Sequence, residues 1–448
     1  MANKNYVYFL SIVAALGGFL FGFDTAVISG AERAIQINWQ LSDFYHGLAV
    51  AIALYGTVLG ALFGGLPADK YGRKPTLIFI GVLYFISALG SAMAPEVYSF
   101  MIFRFIGGIG VGASSVVAPM YISEIAPAKN RGQLVALFQF NLVFGILVAY
   151  LSNYLIGTAN LQDAWRWMLG VEAIPAVIYT IMVLRVPESP RWLVVKRNDL
   201  IQARAILDKT DPGAAEYIIQ STFDENQLIQ TKSSFFDLFN RKFLSITGLA
   251  VMIAVFNQVS GINAIIYFAP RIFELGGISA ENALFSTIGI GVVNLIGTMF
   301  GLFLIDRIGR KKLMLIGSIG YIVSLGLISL NFMGELRLEG PFLPIFVFIF
   351  IASHAIGQGS VIWVFISEIF PNKLRASGQS LGSFTHWILA AVIANIFPYL
   401  ASTIGPAYIF GFFCFMMILQ LLWVLFIMPE TKGKSLEEIG QKLKAETI

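Results

Sequence analysis

The stretch Gly-Leu-Pro-Ala-Asp-Lys-Tyr-Gly-Arg-Lys, residues 65 to 74, returns in the second half of the chain as Leu-Phe-Leu-Ile-Asp-Arg-Ile-Gly-Arg-Lys at 302 to 311. Two further pairs recur at a nearly constant offset: Ile-Ser-Glu-Ile-Ala-Pro (122 to 127) with Ile-Ser-Glu-Ile-Phe-Pro (366 to 371), and Pro-Glu-Ser (187 to 189) with Pro-Glu-Thr (429 to 431). Three independent matches in register indicate an internal duplication of the parallel kind.

The repeated motifs separate long apolar segments. The 448 residues are 57% hydrophobic and only 12% charged, with a mean hydropathy of +0.76, which excludes an ordinary soluble domain. A bilayer core of about 30 Å needs about 20 apolar residues to cross it. Such stretches are predicted at 7 to 30, 47 to 67, 76 to 94, 99 to 120, 133 to 156, 167 to 186, 243 to 267, 284 to 305, 313 to 333, 343 to 366, 379 to 400 and 405 to 428. We therefore expect an all-α integral membrane protein with twelve transmembrane helices.

Charge predicts the orientation and the domain plan. Twelve spans place both termini on one side, and that side carries most of the 30 basic residues, so the positive-inside rule makes both termini cytoplasmic. The first apolar stretch has no small-residue cleavage site and is predicted to be a retained span. The expected domains are a six-helix half (1–186), a cytoplasmic linker of short amphipathic helices (187–242), a second six-helix half (243–428) and a cytoplasmic tail (429–448). The single cysteine, Cys414, excludes an intramolecular disulfide.

One apolar segment, residues 256 to 270, is unusually polar. It carries five hydrogen-bonding side chains, Asn257, Gln258, Ser260, Asn263 and Tyr267, and each is costly in hydrocarbon unless it finds a partner. Amides and a phenol suit a neutral, hydroxyl-rich ligand. The alternative is that they join transmembrane helices to one another. Gly261 and Pro270 favour the ligand site, because they let a helix bend or unwind there.

Few charged residues lie within the spans. Asp24 is in the first span and Arg104 begins the fourth. A carboxylate beside an arginine releases its proton and one left alone keeps it, so a change in this pair is a mechanism for proton coupling. A purely structural ion pair is the alternative. Glu172 in the sixth span is a second candidate for proton coupling, and a helix-anchoring role is equally open.

The repeated motifs also bring acids and arginines to cytoplasmic span ends. We expect ion-pair clusters that lock a cytoplasmic gate, since exposed pairs are worth only about 0 to 1 kcal/mol and can be broken; the alternative is that they only anchor helices. The predicted gate residues are Asp69, Arg73, Glu124, Arg131, Glu188, Asp306, Arg310, Glu368, Arg375 and Glu430.

Other function classes lack their motifs. The sequence shows no Cys/His metal set, no phosphate-binding Gly-Lys-Ser/Thr loop and no Ser/His/Asp grouping with plausible spacing, so we expect neither an enzyme nor a bound metal or cofactor. A channel would need a selectivity motif or a ring of subunits. The expected partners are a small molecule and the lipid bilayer, without nucleic acid, and one chain is sufficient for alternating access.

The motifs resemble those of the sugar porters of the major facilitator superfamily. The resemblance rests on Asp-Lys-Tyr-Gly-Arg-Lys and its repeat, Pro-Glu-Ser-Pro-Arg-Trp-Leu (187 to 193), Gln-Val-Ser-Gly-Ile-Asn (258 to 263) and Pro-Glu-Thr-Lys-Gly (429 to 433). It covers all twelve spans and is closest to bacterial sugar/proton symporters, more distantly to animal facilitative glucose transporters. It implies the major facilitator fold, with two six-helix halves related by pseudo-twofold symmetry, in the cell membrane. It also implies import of a hexose or pentose with a proton; a passive uniporter and a non-transporting sugar sensor are the alternatives.

The resemblance also implies a sugar site. Carried over by position, the residues that bind sugar hydroxyls are Gln139, Gln258, Asn263, Tyr267 and Asn294, and Trp363 packs on the sugar ring. Asp24 and Arg104 stand where the family's proton symporters have an aspartate and an arginine.

Three positions depart from the family pattern. Asn257 replaces a glutamine, Ser360 follows Gly359 where proline is common, and His386 stands before Trp387 where an amide is expected. We include Asn257, His386 and Trp387 in the predicted sugar site, while His386 is as well explained by helix packing and His354 is better explained by it.

Overall fold

The protein, described here by a computed structural model, is helical throughout the part of the chain that the structure describes, residues 4–228, 235–336, 342–371 and 373–433. Those residues contain no strand and include twelve helical segments long and apolar enough to cross a membrane. In order, the spans are Lys4–Asn38, Asp43–Phe63, Arg73–Met93, Val97–Ile125, Arg131–Thr158, Ala164–Leu184, Leu244–Leu275, Ala280–Ile308, Arg310–Phe332, Phe342–Ile369, Arg375–Thr403 and Pro406–Phe426. The predicted all-helical, twelve-span fold is confirmed.

Three spans are each made of two helices. The sixth, seventh and tenth spans divide into Ala164–Gly170 and Ala173–Leu184, Leu244–Val259 and Ile262–Leu275, and Phe342–Ile356 and Gln358–Ile369. The second half of the seventh span also bends at Phe268, two residues before Pro270, as expected where proline removes a helical hydrogen bond. Breaks of this kind expose backbone and side-chain polar groups within a span.

Short helices connect the spans. They are Gly65–Tyr71, Pro190–Trp192, the π-helix Leu193–Arg197, Leu200–Thr210, Ala215–Leu228 and the 3-10 helix Phe235–Phe239. Helices between the sixth and seventh spans pack round a small core of their own, which includes Trp192, Ile206, Leu207 and Ile219, so the predicted amphipathic linker is present. Linker residues 229–234 and tail residues 434–448 lie outside the described residues.

Compact packing divides the chain into two units. Unit 1 comprises Met1–Val27, Ile52–Ala149 and Gln162–Lys232. Within it the third span packs against the fourth and against Ala173–Leu184 of the sixth. Its buried face includes Leu77, Ile80, Tyr84 and Ser87, a spacing of three and four residues that places them on one side of a helix.

Unit 2 comprises Ile28–Ala51, Tyr150–Leu161 and Ser233–Ile448. Within it the ninth span packs against the twelfth and against Phe342–Ile356 of the tenth. Its buried face includes Met314, Tyr321, Ser324 and Ile328, and Tyr321 occupies the position in the repeat that Tyr84 has in the third span. Unit 2 therefore takes in segments of the first, second and fifth spans, while the predicted domain boundaries stay a prediction.

Candidate functional site

The polar stretch of the seventh span lies at a break between its two helices. Leu244–Val259 ends at Ser260, and Gly261 has φ +84° and ψ 12° before the next helix begins at Ile262. A left-handed conformation of this kind is inexpensive only for glycine. The Ser260 hydroxyl donates to the Asn257 carbonyl at 2.6 Å, which satisfies a carbonyl that the interrupted helix leaves unpaired.

Amide side chains on both sides of this break bind one another. Asn263 Nδ2 donates to Gln258 Oε1 at 2.6 Å, and Gln258 Nε2 donates to Asn257 Oδ1 at 2.9 Å. Gln258 Nε2 also lies 3.1 Å from both ring nitrogens of His386, from the eleventh span. Four predicted sugar-site residues are thus brought together in unit 2, with Asn257 and Gln258 no more than 2% exposed. They form a neutral cluster of donors and acceptors.

The amide cluster continues into a hydrogen-bonded chain that the sequence interpretation missed. Asn257 Nδ2 donates to Gln358 Oε1 at 3.4 Å, and Gln358 Nε2 donates to Gln420 Oε1 at 2.8 Å. Gln420 Nε2 then donates to Ser318 Oγ at 2.8 Å, and Ser318 donates to the Met314 carbonyl. We call Asn257, Gln358, Gln420 and Ser318 the amide chain. The sequence feature that could have revealed this chain is a glutamine within each of two apolar spans.

Aromatic rings lie beside the amide cluster. The His386 ring centroid is 5.0 Å from that of Trp363 and 4.6 Å from that of Trp387. Trp363 remains 37% exposed, so one surface of its indole is available to a ligand. Rings of this kind pack on the C–H faces of a sugar, while amides bind its hydroxyls.

The other predicted sugar-site residues lie elsewhere in the two units. Asn294 is 8% exposed, and its Oδ1 accepts from Thr298 of the same helix at 3.5 Å. Tyr267 is 2% exposed, one helical turn after Asn263. Gln139 lies in unit 1 and is half-buried. His354, predicted to be a packing residue, is bonded to the Tyr321 hydroxyl through Nδ1 at 2.5 Å.

Asp24, Arg104 and Glu172 meet in the interior of unit 1. Arg104 Nη1 lies 2.5 Å from Asp24 Oδ1 and Nη2 donates to the Asp24 carbonyl at 3.2 Å. The Glu172 carboxyl lies within electrostatic reach of Asp24 and Arg104, and all three residues are at most 2% exposed. Two carboxyl groups face one guanidinium, so the cluster is electrically neutral when one carboxyl carries a proton. The geometry therefore provides a buried place for one exchangeable proton.

The repeated motifs form one ion-pair cluster in unit 1. Arg73 donates from Nε and Nη2 to the two oxygens of Glu124, both at 2.9 Å, which is the strong bidentate arrangement. Asp69 lies 3.1 Å from Arg73 Nη1. Glu188 accepts from the backbone N–H groups of Arg73 at 2.9 Å, Lys74 and Ser189.

The same cluster recurs in unit 2. Arg310 donates to Glu368 at 3.0 and 2.7 Å, and Asp306 lies 3.1 Å from Arg310. Glu430 accepts from the backbone N–H groups of Arg310, Lys311 and Lys432 at 2.9 to 3.0 Å. Each cluster joins the three motifs of its own half of the duplication. This arrangement explains why all three motifs repeat together.

The glycine of the repeated motif makes room for the glutamate. Gly72 has φ +112°, and a Cβ there would collide with the Glu188 carboxylate; Gly309 has φ +90° and the same relation to Glu430. Burial raises the pKa of the Glu188 carboxyl despite its hydrogen bonds. Burial acts in the same direction on Glu430, but backbone N–H donors outweigh it and lower the pKa of that carboxyl.

Two predicted gate residues stand apart from these clusters. Arg131 and Arg375 begin the fifth and eleventh spans, and the Nε of each is buried without a hydrogen-bond partner in the described part of the chain. The structure does not bring Arg131 into the first cluster or Arg375 into the second. Their predicted place in a gate stays a prediction.

Comparisons with known proteins show the family of the chain. The profile of the family described as "Sugar (and other) transporter" matches residues 10–443. The chain belongs to this family of sugar transporters. It is similar to the glucose transport protein of Synechocystis sp. (37% identical, covering 98% of both chains) and to the arabinose-proton symporter of Bacillus subtilis (36% identical, covering 98% of this chain and 95% of the other).

A solved structure shows the same fold. The inward open conformation of the xylose transporter XylE from E. coli matches with a TM-score of 0.85 and 32% identity, over 98% of this chain and all of the other. This chain belongs to a transporter family and has twelve candidate spans in its described residues. It is therefore a multi-pass membrane protein of the major facilitator superfamily. The resemblance inferred from the motifs is confirmed.

Proposed function

We propose that this protein imports a monosaccharide, a hexose or pentose, together with a proton by alternating access. The observation that carries the proposal is the buried group of Asp24, Arg104 and Glu172, whose charge balances when one carboxyl holds a proton. Similar proteins named as an arabinose-proton symporter and a D-xylose-proton symporter support it.

The sugar site in this proposal centres on Gln258. Gln258, Asn263 and His386 bind one another in this structure, so a sugar would replace some of these bonds with bonds to its hydroxyls. Exchange of one neutral hydrogen bond for another has a small net free energy, which favours both binding and release. Tyr267, Asn294, Trp363 and Trp387 complete the proposed site in unit 2, and a role of Gln139 in sugar binding stays a prediction.

The proposed setting is the cell membrane, with both termini in the cytoplasm and one chain as the working unit. The excess of Lys and Arg on the side of the termini supports this orientation. The clusters of Arg73 and Arg310 then lie on the cytoplasmic face, where we propose that they serve the gate together with Arg131 and Arg375. The exposed partners Asp69 and Asp306 contribute little free energy and are easily separated, which suits a gate. The bidentate pairs with Glu124 and Glu368 are the stronger contacts.

Uptake into proteoliposomes tests the coupling. A pH gradient, acid outside, should drive the intact protein to concentrate sugar, since each pH unit supplies about 1.4 kcal/mol for every proton that crosses with the sugar. Asp24→Asn should abolish accumulation and leave sugar exchange measurable. The matched control is Asp208→Asn, at an exposed position in the linker, which should behave as the intact protein.

The outcomes separate the candidate functions. Accumulation by Asp24→Asn would refute the role of Asp24. Exchange without accumulation in the intact protein would indicate a passive uniporter, and sugar binding without exchange would indicate a sensor.

A further inference from the structure

A second group of charged residues lies in unit 2, and its first member, Glu32, follows Asp24 by eight residues on the same helix. We call Glu32 and Gln36 of the first span, Asp43 and His46 of the second and Arg271 of the seventh the Glu32 cluster. Glu32 is 1% exposed and His46 is fully buried. An acid and an imidazole buried at this depth are expensive unless each has a specific partner. Sugar binding and the proton site of Asp24 use neither of them.

The contacts determine the state of the His46 ring. His46 Nε2 lies 2.7 Å from Glu32 Oε2, and Arg271 Nη1 lies 3.3 Å from His46 Nδ1. A guanidinium only donates hydrogen bonds, so Nδ1 accepts and carries no hydrogen. The ring hydrogen is therefore on Nε2, the nitrogen that lies 2.7 Å from Glu32 Oε2. The contact with Arg271 therefore requires a ring that carries hydrogen on Nε2 alone.

Arg271 links three spans through this cluster. Besides His46, Nη1 donates to Gln36 Oε1 at 2.8 Å and lies 3.6 Å from Glu32 Oε2, and Nη2 lies 3.8 Å from Asp43. Gln36 Nε2 in turn donates to Asp43 Oδ1 at 2.8 Å. The end of the first span and the start of the second are thereby attached to the second half of the seventh.

The remaining neighbours of His46 add no charge at the ring. Phe268 of the seventh span presents its ring nearly edge-on, with centroids 5.9 Å apart. The eleventh span contributes the Asn395 carbonyl beside Gly47, and Ser402 bonds to Asp43. Arg33 and Glu274 pair with one another nearby. The charged groups facing His46 are therefore Glu32 and Arg271, with Asp43 behind Arg271.

A proton on His46 is incompatible with the contact to Arg271. The added proton would occupy Nδ1, so the new N–H would face an N–H of the guanidinium. Two donors and two positive charges would then lie 3.3 Å apart. The contact with Glu32 would survive and gain the attraction between opposite charges. Arg271 keeps Gln36 and Asp43 as alternative acceptors, so Arg271 is the group that leaves.

We propose that His46 is a second proton-binding site, and that its protonation separates Arg271 from His46 and so loosens the attachment of the seventh span to the first and second spans. In the proposed orientation the cluster lies in the outer half of the membrane, because the loop joining the first two spans is on the side opposite the termini. External acid then separates Arg271 from His46 at the face from which sugar and proton enter. The consequence for sugar uptake rests on the proposed function, whereas the separation of Arg271 from His46 does not.

Histidine NMR tests the tautomer directly. The chain has three histidines, so ¹⁵N-histidine labelling gives few ring signals, and His46→Gln assigns one of them. At neutral pH we expect the His46 ring to carry hydrogen only on Nε2, and acid to add one on Nδ1. A ring protonated on Nδ1 at neutral pH would overturn the proposal.

Distance measurements by electron spin resonance test the release. Spin labels replace Ile37 and Leu275, both at least 50% exposed, in a Cys414→Ala background. Lowering the pH from about 7.5 to about 5 should add a longer distance to the distribution. His46→Gln should keep the shorter distance at both pH values, while His354→Gln, which alters another buried histidine, should respond as the background protein does.

A lengthening that persists in His46→Gln, or no lengthening at all, would overturn the proposal even if proton-coupled uptake is established. Loss of the response in His46→Gln would support it even if the protein carries out no uptake. Failure of this inference and failure of the proposed function are therefore distinguishable.

Discussion

Interruption of the amide chain at Gln358 should destabilise the protein by a measurable amount. Gln358 is fully buried, donates to Gln420 at 2.8 Å and accepts from Asn257 at 3.4 Å. Hydrogen bonds between membrane helices are worth about 0.6 kcal/mol on average and about 1.7 at most, and the 3.4 Å contact contributes little. Gln358→Leu also leaves Gln420 Oε1 without its donor, a penalty of about 1 to 3 kcal/mol. Because leucine nearly fills the volume of glutamine, we expect a total loss of about 2 kcal/mol.

A double-mutant cycle isolates the contact itself. Gln420→Leu should also cost about 2 kcal/mol, since it removes bonds to Gln358 and to Ser318. The double variant removes both partners together and should cost less than the sum of the single changes by about 1 to 2 kcal/mol. The assay is reversible unfolding in mixed micelles, followed by the fluorescence of the seven tryptophans.

Gln202→Leu is the matched control, because Gln202 is exposed in the linker and the change should stay within about 0.5 kcal/mol. Additive effects of the two buried changes would refute the coupling. Single variants as stable as the control would refute the existence of the amide chain.

Three further predictions concern the site and the repeated clusters. Gln258→Ala should weaken sugar binding by about 1 to 3 kcal/mol, or about 5- to 140-fold in Kd by calorimetry, because it leaves sugar hydroxyls unpaired; unchanged affinity would contradict the assignment. The pKa of Glu188 is raised in the folded protein, so its contribution to stability falls as the pH rises above 4.5, the ordinary pKa of a glutamate. The pKa of Glu430 is lowered, so its contribution to stability is lost as the pH falls below 4.5. Replacing each by glutamine should therefore change the slope of stability against pH in opposite directions in thermal unfolding, and equal changes would contradict the assigned pKa directions. Gly72→Ala should cost more than about 1 kcal/mol through its positive φ and the collision with Glu188, while Gly65→Ala, where an added Cβ meets nothing within 4 Å, should be harmless; equal unfolding temperatures would contradict this.

The number and type of spans could be predicted because hydropathy reports directly on membrane crossing. Span ends were harder to predict. The first span was expected to stop at 30, but the helix continues to Asn38, because Glu32 and Gln36 find partners on the second and seventh spans. The seventh was expected to stop at 267 and continues to Leu275, since Pro270 bends that helix without ending it.

The candidate site was predictable only where a residue type is informative by itself. The amides of the seventh span and the Asp24 and Arg104 pair are conspicuous in apolar sequence, and the structure brings each group together. Gln358 and Gln420 carry equal polarity, but their meaning depends on contacts between residues 62 positions apart. Spacing along one helix cannot reveal a hydrogen bond between two helices whose relative rotation is unknown.

The Glu32 cluster is completed only late in synthesis of the chain. Arg271 follows His46 by 225 residues, which at about 5 to 20 residues per second is roughly 11 to 45 s of translation. Throughout that interval Glu32 and His46 lack the Arg271 guanidinium that completes the cluster, because that residue has not yet left the ribosome. A fragment containing just the first six spans would carry this acid and imidazole into the bilayer without it, so the insertion machinery receives an unfinished first half that only the seventh span completes.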